Sequence, residues 1–489
     1  MDTTSREYAI QQDSQDPLRR FRDQFVIPTK GDLARKTIKR NASEDERPSI
    51  YFCGNSLGLQ PKLTRSYFEQ YLSTWASKGV YGHFKEIGDT DLAAWLNVDA
   101  DLQADMANIV GAKTSEVTVM QTLTANLHFM MASFYRPTQE RWKIILEGHA
   151  FPSDHFAVES QIQLHNLSIK DSMVLIEPPS KDSPLIPTEH ILSIIDQHAS
   201  ETALLLLPGI QYYSGQFLDM PKITAYAQSK GIVVGWDLAH AAGNVPTRLH
   251  DWNVDFAVWC TYKYLNCGPG SIGGCFVHEK HCQVTELNGA GAGSHSKLGY
   301  RPRLAGWWGS SKTSRFDMDN VFEPIPGAAG FQVSNTSVAD TTAVRASLDV
   351  YKQTSIVELR EKSLKLTKYL EDMLDLLAVE QEKTIGRCFS IITPRNPAER
   401  GAQLSVLLKH GFLDSVMESL EEAGVVLDER RPDVIRVAPA PLYNSWTDVF
   451  DFIEILRQAC SKAVKTAPGT SHSVMVDGGK DSKGWSEIK

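Results

Sequence analysis

The chain has 489 residues, of which 42% are hydrophobic and 22% are charged, a composition typical of a folded globular protein. This excludes a fibrous or wholly disordered chain, and the length predicts two or three domains. The net charge of −9 argues against a non-specific nucleic-acid binder, because such proteins carry an excess of basic residues.

The sequence also argues against a membrane or secreted protein. No apolar run reaches the roughly 18–20 residues that cross a bilayer, and the N-terminal segment lacks the apolar core of a secretory signal. The seven cysteines are an odd number without a CxxC pair, which indicates free thiols and no zinc site. We therefore expect a cytoplasmic protein without a metal.

Residues 1–48 are polar and charged, and they predict an arm with a helix near residues 16–25. Beyond the arm, strands and helices alternate. Short apolar runs predict buried strands at 143–146, 203–207, 232–236, 256–260 and 274–277, with helices at 187–198 and 223–230. The alternation predicts an α/β fold, with helices on both faces of a mostly parallel sheet.

The pattern changes near residue 341. It predicts helices at 342–351 and 356–377, followed by strands at 389–393, 404–408, 425–427 and 434–437. We therefore predict four segments: the arm at 1–48, a large domain at 49–335, a small α+β domain at 336–466 and a disordered tail at 467–489.

Two charged residues follow neighbouring strands of the predicted sheet. Asp237 comes after the strand at 232–236, and Lys263 comes after the strand at 256–260. Alone, Asp237 would be a helix cap and Lys263 a solvated charge. Together, at the strand ends where ligands bind, they are typical of a pyridoxal phosphate enzyme. In such enzymes the lysine forms a Schiff base with the aldehyde, and the aspartate keeps the pyridine nitrogen protonated.

Two further segments suit the same cofactor. Residues 121–127 precede a helical run and offer N–H groups and hydroxyls to a phosphate, although an ordinary threonine cap is the simpler interpretation of that segment alone. Phe151 and Asp154 could stack on and hydrogen-bond to a flat ring, but as a tetrapeptide FPSD indicates only a turn. The glycine-rich segment 268–274 matches neither nucleotide-binding motif, so a nucleotide is not indicated.

Taken together, these segments resemble the kynureninase family of fold-type-I pyridoxal phosphate enzymes. The resemblance covers residues 51–455, and its most specific stretches are YFCGNSLGLQP at 51–61, VGWDLAHAAGNVP at 234–246, DWNVDFAVWCTYKYLN at 251–266 and IRVAPAPLYNS at 435–445. It implies a large domain with a mostly parallel seven-stranded sheet and a smaller α+β C-terminal domain. It also implies a homodimer, because sites of this fold type usually lie between two subunits.

The resemblance implies a role for each matching residue. Lys263 would bond to the cofactor, Lys263 and Tyr262 would transfer protons, and Asp237 would pair with the pyridinium. The other cofactor contacts would come from Leu123, Thr124, Phe151, Pro152, Ser153, Asp154, His240, Tyr262, Trp307 and Asn335. Arg436 would bind the substrate α-carboxylate, since a guanidinium fork matches a carboxylate, and His83 and Asn335 would face the aromatic end.

The implied reaction is the hydrolysis of L-kynurenine or 3-hydroxy-L-kynurenine to anthranilate or 3-hydroxyanthranilate and L-alanine. It belongs to tryptophan degradation leading to NAD synthesis. We expect 3-hydroxykynurenine to be the better substrate, because His83 and Asn335 put polar groups where the ring hydroxyl would lie. The alternative is that His83 only stacks on the ring and Asn335 only serves the phosphate, in which case neither residue sets the preference.

Two departures from the family pattern stand out. Pro208 lies where some members offer a serine near the cofactor, and residues 283–300 resemble an insertion before Trp307.

Two alternative functions stay open. One is another class-V-type pyridoxal phosphate enzyme, such as an aminotransferase or a cysteine desulfurase. A desulfurase needs a cysteine on a mobile loop, whereas Cys388 and Cys460 lie in strand-like and helical runs. The other is an inactive scaffold, against which the complete set of charged site residues argues.

Overall fold

The computed structural model describes residues 2–40, 44–286 and 298–466. The predicted disordered tail at 467–489 and residues 287–297 of the predicted insertion lie outside the described residues. The chain forms two compact units. The large unit comprises the described parts of residues 61–212 and 217–356, and the small unit comprises the described parts of 1–60, 213–216 and 357–489.

The α-helices of the described residues are, in chain order, α1 (Arg6–Gln15), α2 (Lys30–Ala34), α3 (Lys62–Lys78), α4 (Val98–Val110), α5 (Leu123–Phe134), α6 (Pro152–Leu164), α7 (Ile169–Ser172), α8 (Thr188–His198), α9 (Met220–Ser229), α10 (Val338–Tyr351), α11 (Ile356–Thr384), α12 (Leu413–Glu422) and α13 (Trp446–Thr466). Short 3₁₀ helices lie at Arg19–Gln24, Gly79–His83, Thr114–Glu116, Glu279–His281, Trp307–Gly309, Arg315–Asp317, Ala328–Phe331 and Pro397–Glu399.

The strands are β1 (Phe25–Val26), β2 (Ile50–Tyr51), β3 (Gln60–Pro61), β4 (Val117–Val119), β5 (Lys143–Glu147), β6 (Met173–Ile176), β7 (Thr202–Pro208), β8 (Val233–Asp237), β9 (Phe256–Trp259), β10 (Gly274–Val277), β11 (Val284–Glu286), β12 (Leu298–Tyr300), β13 (Phe389–Ile391), β14 (Leu404–Leu408), β15 (Val425–Val426), β16 (Asp428–Arg430) and β17 (Val434–Val437).

The large unit is built around a seven-stranded sheet in the order β4-β10-β9-β8-β7-β5-β6. The pairs that join β6, β5, β7, β8 and β9 are parallel, whereas β10 is antiparallel to both β9 and β4. The predicted fold class and its mostly parallel sheet are therefore confirmed. The strands β4 and β6, which have only three and four residues, were not predicted.

The central strands are apolar except at their ends, and nearly all of their residues are buried, as expected for strands that are covered on both faces. In β7, Leu204, Leu205, Leu206 and Leu207 are all at most 2% exposed. On one face, residues of α5 and α6 join a hydrophobic cluster with residues of β5, β7 and β9. This packing holds the carboxyl ends of β5, β7, β8 and β9 at one edge of the sheet.

The small unit contains a four-stranded antiparallel sheet in the order β13-β14-β17-β16, packed with α11, α12 and α13. The N-terminal arm belongs to this unit. The Asp13 carboxylate accepts a hydrogen bond from the Trp446 N–H at 2.7 Å, and Asp16 forms a buried ion pair with Lys362 at 2.7 Å.

The helix predicted near residues 16–25 is present only as a shorter 3₁₀ helix. That segment contains a 3₁₀ helix at Arg19–Gln24, and the α-helix α1 lies before it at Arg6–Gln15. Only Ala9 of α1 is buried, so its sequence lacks the apolar periodicity that would reveal a helix.

The limits of the compact units differ from the predicted domain bounds. The helix α10 packs on α3 and α4, which places residues up to 356 in the large unit. Within the described ranges, no helix is both long and apolar enough to cross a membrane. All seven cysteines are buried and free.

A buried glutamate joins three loops at the sheet edge where β4 begins and β10 ends. Glu116 is 0% exposed, and its carboxylate accepts hydrogen bonds from the N–H groups of Glu279 at 2.9 Å and Lys113 at 3.0 Å. The Nδ1 atom of His250 lies 3.0 Å from the same carboxylate, and the His278 ring stacks on His250. Because β4 runs parallel to β9, this edge is opposite the carboxyl ends of the parallel strands.

We expect Glu116→Ala to destabilise the large unit by about 3 kcal/mol, because the substitution removes a buried carboxylate and leaves three part-buried donors without their acceptor. Thermal unfolding should show a Tm lowered by several degrees. The control is Glu279→Ala, which removes only an exposed ion pair with Lys113 and should cost under about 1 kcal/mol. Equal Tm values for the two variants would contradict the role given to Glu116.

Candidate active site

The large unit contains a cavity at the carboxyl ends of its parallel strands. The strands β5, β7 and β8 end at Glu147, Pro208 and Asp237, and Lys263 follows β9. The cavity is lined by Leu123, Thr124, Glu147, Ala150, Phe151, Ser153, Asp154, Pro208, Ile210, Tyr212, Asp237, Ala239, His240, Tyr262 and Lys263. The fold thus brings most of the predicted cofactor residues together.

Lys263 lies in a tight turn after β9. The carbonyl of Lys263 accepts a hydrogen bond from the N–H of Asn266, which has a left-handed φ of 58°. The Nζ atom of Lys263 lies 3.0 Å from Nε2 of His240 and 5.9 Å from the centre of the Phe151 ring. The neighbouring Tyr262 also lines the cavity, and burial raises the pKa of its phenol, so the hydroxyl keeps its proton. A primary amine, an imidazole and a phenol therefore face one space.

Asp237 and Asp154 form a buried pair of carboxyls. Oδ1 of Asp237 accepts a hydrogen bond from the Ala239 N–H at 2.7 Å. Burial raises the pKa of Asp154 well above its ordinary value, and the charge of Asp237 and their mutual hydrogen bond raise this pKa further. We infer that Asp154 carries the proton of the pair, which leaves Asp237 as the carboxylate that faces the cavity.

Two helices begin at the cavity and suit an anion. At the first residues of α5, Leu123 and Thr124, the N–H groups have no acceptor within the helix. Pro152 and Ser153 are the first residues of α6, and the Ser153 hydroxyl lies 2.6 Å from that of Thr124. Positive helix ends and hydroxyls are a typical phosphate site.

A strained turn and a glycine bring the start of α5 close to the sheet. Gln121 has a φ of 44°, which is uncommon for a residue other than glycine. A Cβ atom at Gly273 would lie 2.6 Å from the Trp259 carbonyl oxygen and 3.2 Å from the Leu123 nitrogen. Gly273 therefore permits a close approach that no larger residue allows.

The side chains around the cavity fit a flat ring that carries an anionic group. Phe151 is 44% exposed and meets the Tyr212 ring edge-on, so a face of its ring remains free for stacking. Within the described part of the chain, Oδ1 of Asp154 is buried and has no hydrogen-bond partner. Such an atom indicates that a ligand completes the cavity. Pro208 lines the cavity with a side chain that cannot hydrogen-bond, as its sequence predicts.

Five predicted residues are not among those that line this cavity: Pro152, His83, Trp307, Asn335 and Arg436. Asn335 is exposed, and Trp307 is 47% exposed with its Nε1 atom donating to the Arg315 carbonyl at 2.9 Å. His83 meets the Trp95 ring edge-on at 5.0 Å between ring centres. Rings connect His83 to Trp307 in the series His83, Phe84, Phe316, Trp307, with centres 5.5–6.1 Å apart. We call these four residues the aromatic patch.

Arg436 lies in the small unit, on β17, and is 1% exposed. Asp428 opposes it on β16, and the two side chains form a bidentate ion pair. Burial alone would raise the pKa of Asp428, but Arg436 and Arg430 hold this pKa below its ordinary value. Arg436 therefore already has one carboxylate partner within its own unit.

Sequence reasoning missed Glu147, which lines the cavity at the end of β5. Burial raises the pKa of Glu147 to about 7, against the opposing effect of a hydrogen bond from Gln211. The sequence could have indicated Glu147, because it ends an apolar strand, as Asp237 does, and ligands bind at the carboxyl ends of such strands. None of the lining residues is a cysteine, and the two cysteines considered for a desulfurase, Cys388 and Cys460, are buried in the small unit.

Comparisons with known proteins agree with this geometry. Residues 359–456 match the kynureninase C-terminal domain family, and residues 95–298 match the aminotransferase class-V family. A kynureninase 1 from Aspergillus oryzae is 61% identical over 468 residues, which cover 94% of each chain. A kynureninase from Coccidioides immitis is 59% identical over 469 residues, which cover 95% of this chain and 96% of the relative.

Solved structures share the fold at much lower identity. A cysteine desulfurase from Thermococcus onnurineus superposes with a TM-score of 0.63 at 14% identity, covering 84% of this chain and 95% of its own. A cysteine desulfurase from Escherichia coli superposes with a TM-score of 0.62 at 17% identity, covering 92% of this chain and 98% of its own. These likenesses concern the fold, whereas the close relatives confirm the resemblance predicted from the sequence motifs. The chain belongs to the kynureninase family.

Proposed function

We propose that the chain hydrolyses L-kynurenine or 3-hydroxy-L-kynurenine and that its large-unit cavity holds the pyridoxal phosphate. The products are anthranilate or 3-hydroxyanthranilate and L-alanine. The enzyme serves tryptophan catabolism and the synthesis of NAD. One observation carries the proposal: in a chain of this family, Lys263 and the buried Asp237 face one cavity from the ends of neighbouring strands.

The residues of the cavity divide into those that hold the cofactor and those that move protons. The first residues of α5 and α6 bind the phosphate, Phe151 stacks on the ring, and Asp237 pairs with the ring nitrogen. When bound there, the cofactor withdraws electrons from the substrate α-carbon. Asp154 hydrogen-bonds to Asp237, and this bond holds the Asp237 carboxylate in the orientation that faces the ring.

Lys263 is the attachment point of the cofactor and the base that removes the α-proton. His240, 3.0 Å from Nζ, orients the amine and accepts its hydrogen bond when the lysine is charged. Tyr262 keeps its proton because its phenol is buried, so it supplies a neutral hydrogen-bond donor beside Lys263. The cavity contains no cysteine among its lining residues, which favours hydrolysis over desulfuration.

Incubating the chain with pyridoxal phosphate and each kynurenine in turn tests the proposal. Fluorescence of the aromatic product and an equal amount of alanine should appear, with the larger kcat/KM for the 3-hydroxy substrate. An aminotransferase would instead convert the cofactor to its amine form, and it would need a keto acid to regenerate the aldehyde for another turnover.

The first variant tests Lys263. Borohydride reduction of the loaded protein should leave the cofactor on the peptide that contains Lys263, as mass spectrometry would detect. Lys263→Ala should lower kcat by more than about 100-fold, because it removes both the attachment point and the base. The matched control is Lys222→Ala, which breaks only a surface ion pair with Glu189. Label on any other lysine would refute the assignment.

Arg436 is proposed to bind the substrate α-carboxylate in addition to its pairing with Asp428. Arg436→Lys keeps the charge but loses the planar fork, so KM should rise about 10-fold while the spectrum of the bound cofactor stays unchanged. If Arg436 served only Asp428, the same substitution would lower the Tm and leave KM as it is. Measuring KM and Tm on one preparation separates these outcomes.

We also propose a homodimer in the cytoplasm. The aromatic patch supports the dimer, because it exposes Phe84 and Phe316 at 58% and 47% and contains His83 and Trp307, which the family resemblance assigns to a site. A second copy would cover these rings and use them. The seven free cysteines support a reducing compartment.

Sedimentation should therefore give twice the chain mass of 54.4 kDa. Phe316→Glu should shift the protein toward monomer and lower its activity, because it places a charge in an apolar contact. Leu164→Asp, at an apolar side chain that is 73% exposed and outside the patch, is the control. A fully active monomer would contradict the dimer proposal.

A further inference from the structure

Glu147 is a buried carboxyl that has no role in the proposed reaction as described above. It is the last residue of β5, is 3% exposed, and lines the same cavity as Lys263. Its Oε1 atom accepts a hydrogen bond from Nε2 of Gln211 at 2.8 Å. Its Oε2 atom is buried and has no hydrogen-bond partner among the residues that the structure describes. One half of this carboxyl is therefore held in place, and the other half is available to the cavity.

Glu147 interacts with the carboxyl pair described above. The negative charge of Glu147 is one of the causes that raise the pKa of Asp154, beside burial and Asp237. Asp154 also has a buried oxygen without a partner among the described residues. The cavity thus contains three carboxyls, Glu147, Asp154 and Asp237, and one amine, Lys263.

Other titratable groups surround this set. Tyr212, His240 and Tyr262 line the cavity from the segments that follow β7, β8 and β9, respectively. Beyond the end of β6, Glu177 lies 3.5 Å from His149, and its charge also acts on Glu147. His149 and Glu177 are both largely exposed, so solvent screens them, whereas the carboxyls of the cavity interact in a poorly screened interior.

We propose that Glu147 is a positioning residue that, through Asp154, sets how firmly Asp237 holds a proton on the ring of the bound cofactor. This inference rests on the proposed function, because it concerns the same cavity and the same reaction. It assigns Glu147 no contact with the reacting atoms.

The effect follows from the charge that Glu147 gains with pH. Burial raises the pKa of Glu147 to about 7, so the carboxyl is mostly neutral at pH 6 and mostly charged at pH 8. A negative Glu147 disfavours loss of the Asp154 proton, so Asp154 keeps its hydrogen bond to Asp237, and the added negative charge also favours the proton on the ring nitrogen that Asp237 faces. The electron-withdrawing form of the ring is thus maintained to a higher pH, and activity gains an inflection near pH 7.

Glu147→Gln tests the inference, because the amide still accepts the hydrogen bond from Gln211 but never becomes charged. At pH 6 the variant and the wild type should have nearly equal kcat. At pH 8 the variant should be slower by about 10-fold, which corresponds to one pKa unit, with KM changed less than about twofold. The absorbance of the bound cofactor, titrated from pH 5.5 to 9, should lose its step near pH 7.

A second variant moves the inflection instead of removing it. The hydrogen bond from Gln211 lowers the pKa of Glu147, so Gln211→Leu should shift the inflection to higher pH. The control is Glu140→Gln, which neutralises an exposed carboxyl outside the cavity and should leave both the pH profile and the spectrum unchanged.

The outcomes distinguish this inference from the proposed function. If Glu147→Gln keeps the inflection, or loses activity equally at every pH, Glu147 has a structural role only and the inference fails. If the wild type neither binds pyridoxal phosphate nor hydrolyses a kynurenine, the proposed function and the inference fail together. If Gln211→Leu shifts the inflection to lower pH, the assigned direction of coupling is wrong.

Discussion

The large-unit site depends on burying several charges together at one edge of a sheet. An isolated carboxylate in such a place would cost several kcal/mol, so charges there are paired or neutralised. Lys263 is the one amine that lines the cavity, against three carboxyls. The raised pKa values of Asp154 and Glu147 reduce the negative charge near neutrality, which leaves Asp237 as the carboxylate best placed to act on a cationic ring.

The topology of the sheet makes this arrangement possible. The parallel strands β5, β7 and β8 all end at the same edge of the sheet, so their last residues, Glu147, Pro208 and Asp237, lie at that edge. The antiparallel β10 instead begins at that edge, and it places Gly273 against the start of α5. Gly273 of the glycine-rich segment 268–274 therefore permits close packing against the start of α5, although the segment matches no nucleotide-binding motif.

Stability and chemistry lie at opposite edges of the same sheet. Glu116 collects backbone and histidine donors where β4 begins, with every carboxylate oxygen bonded. At the cavity edge, Asp154 and Glu147 each keep a buried oxygen without a partner among the described residues. Unsatisfied polar atoms are costly, so the two buried carboxyl oxygens without a partner point to a binding region at the cavity edge, whereas both oxygens of Glu116 already have partners.

The sequence by itself determined the α/β class, the central strands, and the positions of Asp237 and Lys263 at strand ends, because apolar runs and the residues that follow them are local patterns. Its motifs also determined the family. Only the tertiary structure decided that Glu147 joins the cavity, that α1 packs in the small unit, and that Arg436 pairs with Asp428. It also decided that His83 and Trp307 lie in the aromatic patch outside the cavity lining. These outcomes depend on burial and on neighbours distant along the chain, which no local pattern encodes.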